Sequence, residues 1–186
     1  MFRKFLITQK RYKFTDRDIT NLLKKKPNNV IVNRYSRYDP KVKLIIQALK
    51  DKRYNDVKKL AIKLDIDGHD RGENTPLTDA ACRGDNDAVR FLIKEMGANI
   101  YSSCDCPYNK TALHYASENG HAETVKLLLE LGANPNVLDS RKYTALDIAK
   151  INEIKKLLIS NGGMVGNELP KVLIDIPRQG NCKLMQ

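Results

Sequence analysis

Nowhere in the 186 residues does an apolar run reach about 18 residues, so no membrane-spanning helix is expected. The opening MFRKFLITQKRYKF has only Phe5 to Ile7 as an apolar core, too short for the hydrophobic region of a secretory signal. No acid precedes Asp16, a faint transit-peptide trait that many basic amino termini share. Cysteine is scarce. Cys82, Cys104, Cys106 and Cys182 have no spacing that suggests a disulfide framework, which makes a reducing cytoplasm the expected compartment. Cys104 and Cys106 are one residue apart, the wrong gap for a zinc knuckle, so no metal is expected. Cys182 misses the prenylation pattern by one place. The only imidazoles are His69, His114 and His121, and the chain has no Gly-rich phosphate loop, no HExxH and no nucleophile elbow. Asp65 and Asp67 fall in a predicted loop, where solvation explains them. Neither an enzyme nor a cofactor is expected.

What charge there is lies unevenly. Residues 1–43 carry 13 Lys and Arg against Asp16, Asp18 and Asp39, a balance of +10 within a total of +11. The other 143 residues hold 20 bases against 19 acids and balance to +1. A basic front is therefore joined to a nearly neutral body, and the two need separate explanations. Lys24-Lys25-Lys26 with Tyr12, Phe14, Tyr35 and Tyr38 would suit nucleic acid or an acidic membrane, since cations neutralise phosphates and aromatic rings stack on bases. The plainer alternative is a solubilising extension. Within it, Thr15-Asp16-Arg17-Asp18 reads as a capping box opening a short helix that Pro27 ends.

The body repeats itself. Thr75-Pro76-Leu77, Thr111-Ala112-Leu113 and Thr144-Ala145-Leu146 are spaced 36 and 33 residues apart. Gly97-Ala98-Asn99 and Gly132-Ala133-Asn134 recur at 35, with Gly162-Gly163 at the matching place in a third copy. A period of about 33 opening on Thr-Pro-Leu-His-x-Ala resembles the ankyrin-repeat family, Thr111 to Asn136 nearly in full. The resemblance implies an all-α fold, an ankyrin-repeat solenoid of stacked helix-turn-helix units with protruding loops. In that family the Thr and His of the motif, here Thr111 and His114, tie neighbouring units together. His114 is thus expected to be structural.

The residues agree. Thr111 suits a helix N-cap, and Gly84 and Gly120 suit tight turns between helices that need positive φ. Ala116 is small where a neighbouring helix must approach closely, and Val125, Leu128 and Leu129 line one helix face at three-to-four spacing. The departures are specific. One extra residue falls near Lys94-Glu95-Met96, and the loop from Ile100 to Tyr108 is two residues longer than its counterpart. The third unit lacks three residues, assigned here to the Asn-Gly-His turn, and has Lys155 where Val125 would sit, as suits a water-facing end.

The expected organisation is a basic extension (1–43), a degenerate capping helix pair (44–69), repeats at 70–104 and 105–138, a shortened repeat at 139–163, and a tail from 164 to 186 that reads as extended. In the capping pair Leu44, Ile45, Ala48 and Leu49 form one stripe, and Val57, Leu60, Ala61 and Leu64 another. The resemblance implies protein–protein interaction through loop tips and a concave helix face. Carried onto this chain, the partner-binding positions are Arg71, Asn74, Cys82 and Arg83, then Tyr108, Lys110, Glu118 and Asn119, then Arg141, Lys142 and Tyr143. The partner is an unidentified protein, and the chain itself is expected to be monomeric. Richness in Lys, Asn and Ile, with twice as many Lys as Arg, points to an AT-rich genome. Small ankyrin proteins of this kind resemble those of intracellular bacteria, which makes export into a host cell a further expectation.

Overall fold

A computed structural model of the chain describes Asp39 and residues 41–62, 64–70 and 73–169. Those residues form helices and turns with no strand among them, only an isolated bridge between Ser103 and Thr111. The helices come in pairs: α1 (Val42–Lys50) with α2 (Tyr54–Ala61), α3 (Pro76–Arg83) with α4 (Asn86–Lys94), α5 (Ala112–Glu118) with α6 (Ala122–Glu130), and α7 (Ala145–Ile148) with α8 (Asn152–Ser160). Helices of seven to nine residues are too short to persist alone, so neighbours must supply their stability. An inner row runs α1, α3, α5, α7 and an outer row α4, α6, α8.

The inner helices α3, α5 and α7 start where the sequence puts a threonine hydroxyl, at Thr75, Thr111 and Thr144, whereas α1 starts at Lys41 without a side-chain cap. The Thr75 side chain accepts from the Thr78 N–H and that of Thr144 from the Asp147 N–H, satisfying groups a helix start leaves bare. Pro76, at the first position, has no N–H to leave unpaired. Alanines Ala80, Ala81, Ala112 and Ala116 are fully buried where inner helices meet, and larger side chains there would hold the helices apart. Leu77, Leu92, Val125, Leu128, Ile154 and Leu158 fill the space between the rows. Each contributes roughly 1.5–3 kcal/mol when fully buried. Gly84 and Gly120 hold φ of 71° and 81° between the two helices of a unit, a region that penalises any residue with a Cβ.

At the amino-terminal end α1 buries Val42 and Ile46 together with Ile45, Ala48 and Leu49, while Leu44, expected in the stripe, is half-buried. Tyr54 of α2 packs its ring on Phe91 of α4 at 4.7 Å between centroids. At the other end the shortening falls elsewhere than expected. Helix α7 begins 33 residues after α5, but it has four residues against seven. Ala149 to Ile151 then link α7 to α8 just as Asn119 to His121 link α5 to α6. The missing residues are the last turn of the inner helix. The connector is extended (ψ 126° at Ala149, 130° at Ile151), so it needs no glycine. Lys155 is exposed on α8, while Ile154 and Leu158 point inward.

The segment after α8 folds back on the third unit. Met164 accepts from the Thr144 hydroxyl at 2.9 Å, and the Gly166 N–H donates to Asp147 at 2.8 Å. Gly166 to Glu168 form a 3₁₀ turn rather than the extended run expected from Met164 onward; residues beyond 169 lie outside the described ones. The helix expected after Thr15 also lies outside them.

Candidate partner-binding surface

Between successive helix pairs the chain projects a hairpin, and three hairpins stand side by side. All three close on the same backbone bond, from the Asp70 N–H to Asn74, from Cys104 to Lys110 and from Asp139 to Tyr143. Successive hairpins are joined by bonds from the Asp105 N–H to Glu73 (2.8 Å) and from the Ser140 N–H to Tyr108 (2.8 Å). The first and third span five residues and the middle one seven, so the two extra residues read from the sequence lie within this turn.

The third hairpin is built around Asp139, whose side chain has no exposed surface. Its Oδ1 accepts from the Arg141 and Tyr143 N–H groups at 2.8 and 3.0 Å, and its Oδ2 from the Arg141 guanidinium at 2.9 and 3.1 Å. That bond, ahead of the cost of desolvation, raises the guanidinium pKa above its ordinary value. So held, the guanidinium lies 4.2 Å from the Tyr108 ring centre and 5.0 Å from that of Tyr143. Tyr108 and Tyr143 remain 44% and 46% exposed. Two aromatic side chains from adjacent hairpins thus flank one immobilised cation in full view of solvent. Lys142, at the tip, is exposed and holds φ of 65°.

The other expected positions divide. Lys110 was expected at the surface, but only 9% of its side chain is exposed. Its ammonium meets Glu118 at 2.5 Å and lies between the Tyr108 and Tyr115 rings at 5.7 and 5.6 Å. A long apolar stem beneath two rings buries readily once its charge is paired. Glu118 is half-buried as the other half of that pair. Cys82 and Asn119 meet across the inner helices, the Asn119 amide lying 3.0 Å from the Cys82 carbonyl and 3.1 Å from its sulfur. Arg83 is exposed and bridges Asp79 (2.9 Å) and Asp85 (3.3 Å). Asn74 is half-buried within the first hairpin, its N–H on Asp70. Arg71 lies outside the described residues, as does almost all of the basic extension expected to meet nucleic acid or membrane.

His114 lies directly beneath the aromatic cluster. Its Nδ1 faces the Thr111 N–H (3.3 Å) and hydroxyl (2.8 Å), and its Nε2 faces the Tyr143 carbonyl at 3.1 Å. A neutral ring with the proton on Nε2 satisfies all of these. Burial depresses its pKa, outweighing the Tyr143 carbonyl and Asp139, which favour the charged form. The role the resemblance implied, tying two units, is what this geometry performs. His69 does similar work one junction earlier, with Nε2 2.8 Å from the Ser103 carbonyl. Two features went unread. Asp139 could have been found, since Asp70 and Asp139 each precede a repeat threonine by five. The other is the bond between Cys104 and Cys106, where no disulfide was expected. Spacing could not show that the hairpin turns its two sulfurs together.

No helix among the described residues is long and apolar enough to cross a membrane, and no group of three or more His, Cys, Asp or Glu among them is placed to hold a metal ion. The family description "Ankyrin repeats (3 copies)" matches residues 44–139 and 101–168. The chain is 41% identical over 81 residues to the "Probable E3 ubiquitin-protein ligase XBOS34" of Oryza sativa subsp. japonica, covering 44% of this chain and 16% of that protein. It is 39% identical over 85 residues to the "Putative E3 ubiquitin-protein ligase XBAT34" of Arabidopsis thaliana, covering 46% and 23%. Against "Alpha-latrotoxin-Lg1a" of Latrodectus geometricus it is 30% identical over 95 residues, covering 51% and 7%. The chain thus spans less than a quarter of the length of each of these relatives. Repeat spacing, paired helices, projecting hairpins and a family match over most of the chain agree: this chain belongs to the ankyrin-repeat family.

Proposed function

We propose that this chain is a non-enzymatic interaction module that holds a protein partner on the hairpin tips around Tyr108, Arg141 and Tyr143, with Cys82, Arg83 and Asn119 as the adjoining inner-helix contacts. Ankyrin repeats imply protein–protein interaction in general. The observation that supports this particular surface is the guanidinium of Arg141, fixed by buried Asp139 between two half-exposed tyrosine rings. Tyr and Arg are the side chains that most often anchor interfaces, and here they are ordered before any partner arrives. Because Asp139 already meets the Arg141 charge, Arg141 serves this surface as a support for the rings rather than as a free cation. The ligase names of two relatives belong to proteins of which this chain matches about a fifth, over the repeats alone. A shared repeat array lends a binding surface, not a ligation chemistry.

The test places a photo-cross-linking residue at Tyr108 or Tyr143 and, for comparison, at Lys126, exposed on the outer helix α6. One protein should be captured from both tips and not from Lys126. Tyr108→Ala and Tyr143→Ala should each weaken its binding about tenfold or more, the usual effect of truncating an anchor. Capture from Lys126 alone would move the surface to the outer face.

A further inference from the structure

The middle hairpin departs from its neighbours at its first residue. In the first and third, that residue is an aspartate whose Oδ1 ties the turn: Asp70 to the Asn74 N–H at 3.1 Å, and Asp139 to the Arg141 and Tyr143 N–H groups. The shared closing bond makes Cys104 the matching residue of the middle hairpin. A thiol is a far poorer acceptor than a carboxylate and cannot tie the turn in that way. Its sulfur is joined instead to that of Cys106, within the stretch that makes this hairpin longer. A covalent bond stands where each neighbour has a carboxylate.

We infer that Cys104 and Cys106 form a reversible thiol–disulfide exchange site, whose substrates are a low-molecular-weight thiol and its disulfide, and whose state sets the order of the tip that carries Tyr108. The consequence for binding rests on the proposed function; the exchange chemistry does not. Cys104 is buried and Cys106 half-buried, so an incoming thiolate reaches the sulfur of Cys106. The bond between the two cysteines breaks, and Cys104 leaves as a thiolate and takes up a proton. A second thiol attacks the mixed disulfide, releasing Cys106 as a thiol and the co-substrate as its disulfide. Two electrons and two protons pass to the loop, and the reverse sequence restores the bond. The Tyr115 hydroxyl, 3.6 Å from the Cys106 sulfur, can donate to that sulfur as it develops charge. Burial holds the Tyr115 phenol in its protonated form, which keeps that donor in place. Cys82, a free exposed thiol, stays outside the reaction.

Once reduced, the middle hairpin has neither carboxylate nor covalent tie at its first residue, yet its Tyr108 carbonyl must still receive the Ser140 N–H. Amide exchange of the full chain, followed by mass spectrometry in reduced and in oxidised glutathione with no partner present, reads this directly. Alkylation should find Cys104 and Cys106 protected together in the oxidised buffer and modified together in the reduced one, with Cys82 reactive in both unless capped by glutathione. Exchange at Ser140 should quicken about tenfold on reduction, the effect of freeing so short a cross-linked loop. Exchange at Leu128 should stay unchanged and certify the fold. The double variant Cys104→Asp with Cys106→Ser, which restores the neighbours' carboxylate, should exchange slowly at Ser140 in both buffers. A cysteine pair in the same state in both buffers, equal Ser140 exchange in both states, or fast exchange in the double variant would each overturn the inference. With no partner in any arm, none of these results bears on whether the tips bind a protein.

Discussion

Replacing His114 by leucine tests the junction on which the aromatic cluster rests. Leucine fills much of the space but can neither accept from Thr111 nor donate to the Tyr143 carbonyl, contacts that the ring makes at 2.8–3.3 Å. A buried polar group left without its partner costs about 1–3 kcal/mol. The Thr111 N–H is buried and the Tyr143 carbonyl partly so, which puts His114→Leu at a loss of about 2–4 kcal/mol in urea unfolding. A loss below about 1 kcal/mol would mean that the junction does not depend on these bonds.

The same residue predicts a pH dependence. In the folded chain burial depresses its pKa below the value of 6.5 it has when unfolded. The unfolded chain therefore takes up the proton first, and protonation favours unfolding. The stabilising contribution is whole above about pH 6.5 and is lost as pH falls from there toward the folded-state value. Protonation also turns Nδ1 from acceptor to donor, setting it against the Thr111 N–H. Unfolding midpoints compared between about pH 7.5 and about pH 5 should fall for the wild-type chain by more than for His114→Leu. Parallel curves would place the titration on other groups.

Leu128 is fully buried in the middle unit, so Leu128→Ala should cost about 2–5 kcal/mol in denaturant melts, and a loss under about 1 kcal/mol would contradict the packing. Gly120→Val should cost at least about 1–2 kcal/mol from its φ of 81°, and a Cβ there would also meet Ile151 at 2.6 Å. Gly132→Val, at φ 92° with open space around it, should show the backbone cost alone, and Gly120→Val a similar loss, because the exposed Ile151 side chain can swing its end out of the way.

The stack could be read from the sequence because its landmarks are local. A threonine before an apolar run, a glycine after it and a period near 33 each have a conformational cause within a few residues. The tip positions Tyr108, Arg141 and Tyr143 could be placed on loops for the same reason, and they are exposed. What could not be read depends on residues far apart in the chain. The Lys110 stem is covered by two tyrosine rings, one of them on α5. Counting residues gave the size of the deletion in the third unit but not its place, since a lost helical turn and a lost connector shorten the chain equally. The four-residue α7 followed by a connector of unchanged length tells them apart.

The third unit buries less than the others, with a four-residue inner helix and only Ala145, Ala149, Ile154 and Leu158 among its fully covered apolar side chains. In a stack stabilised by nearest neighbours, such a terminal unit should open first. Yet it carries Arg141 and Tyr143. Directional bonds hold its hairpin from three sides: His114 from beneath, Tyr108 and Asn109 from the preceding hairpin, and Met164 and Gly166 from the returning chain through Thr144 and Asp147. Hydrogen bonds of this kind each contribute only about 0.5–1.5 kcal/mol, but they fix position where apolar area is short. The rings of Tyr108 and Tyr143 therefore keep a set spacing around Arg141, and a partner binding them need not bear the cost of ordering them. Cutting the bonds should loosen the surface before it unfolds the stack. That ordering separates this account from one in which the hairpins are passive connectors, for then partner affinity and global stability would fall together.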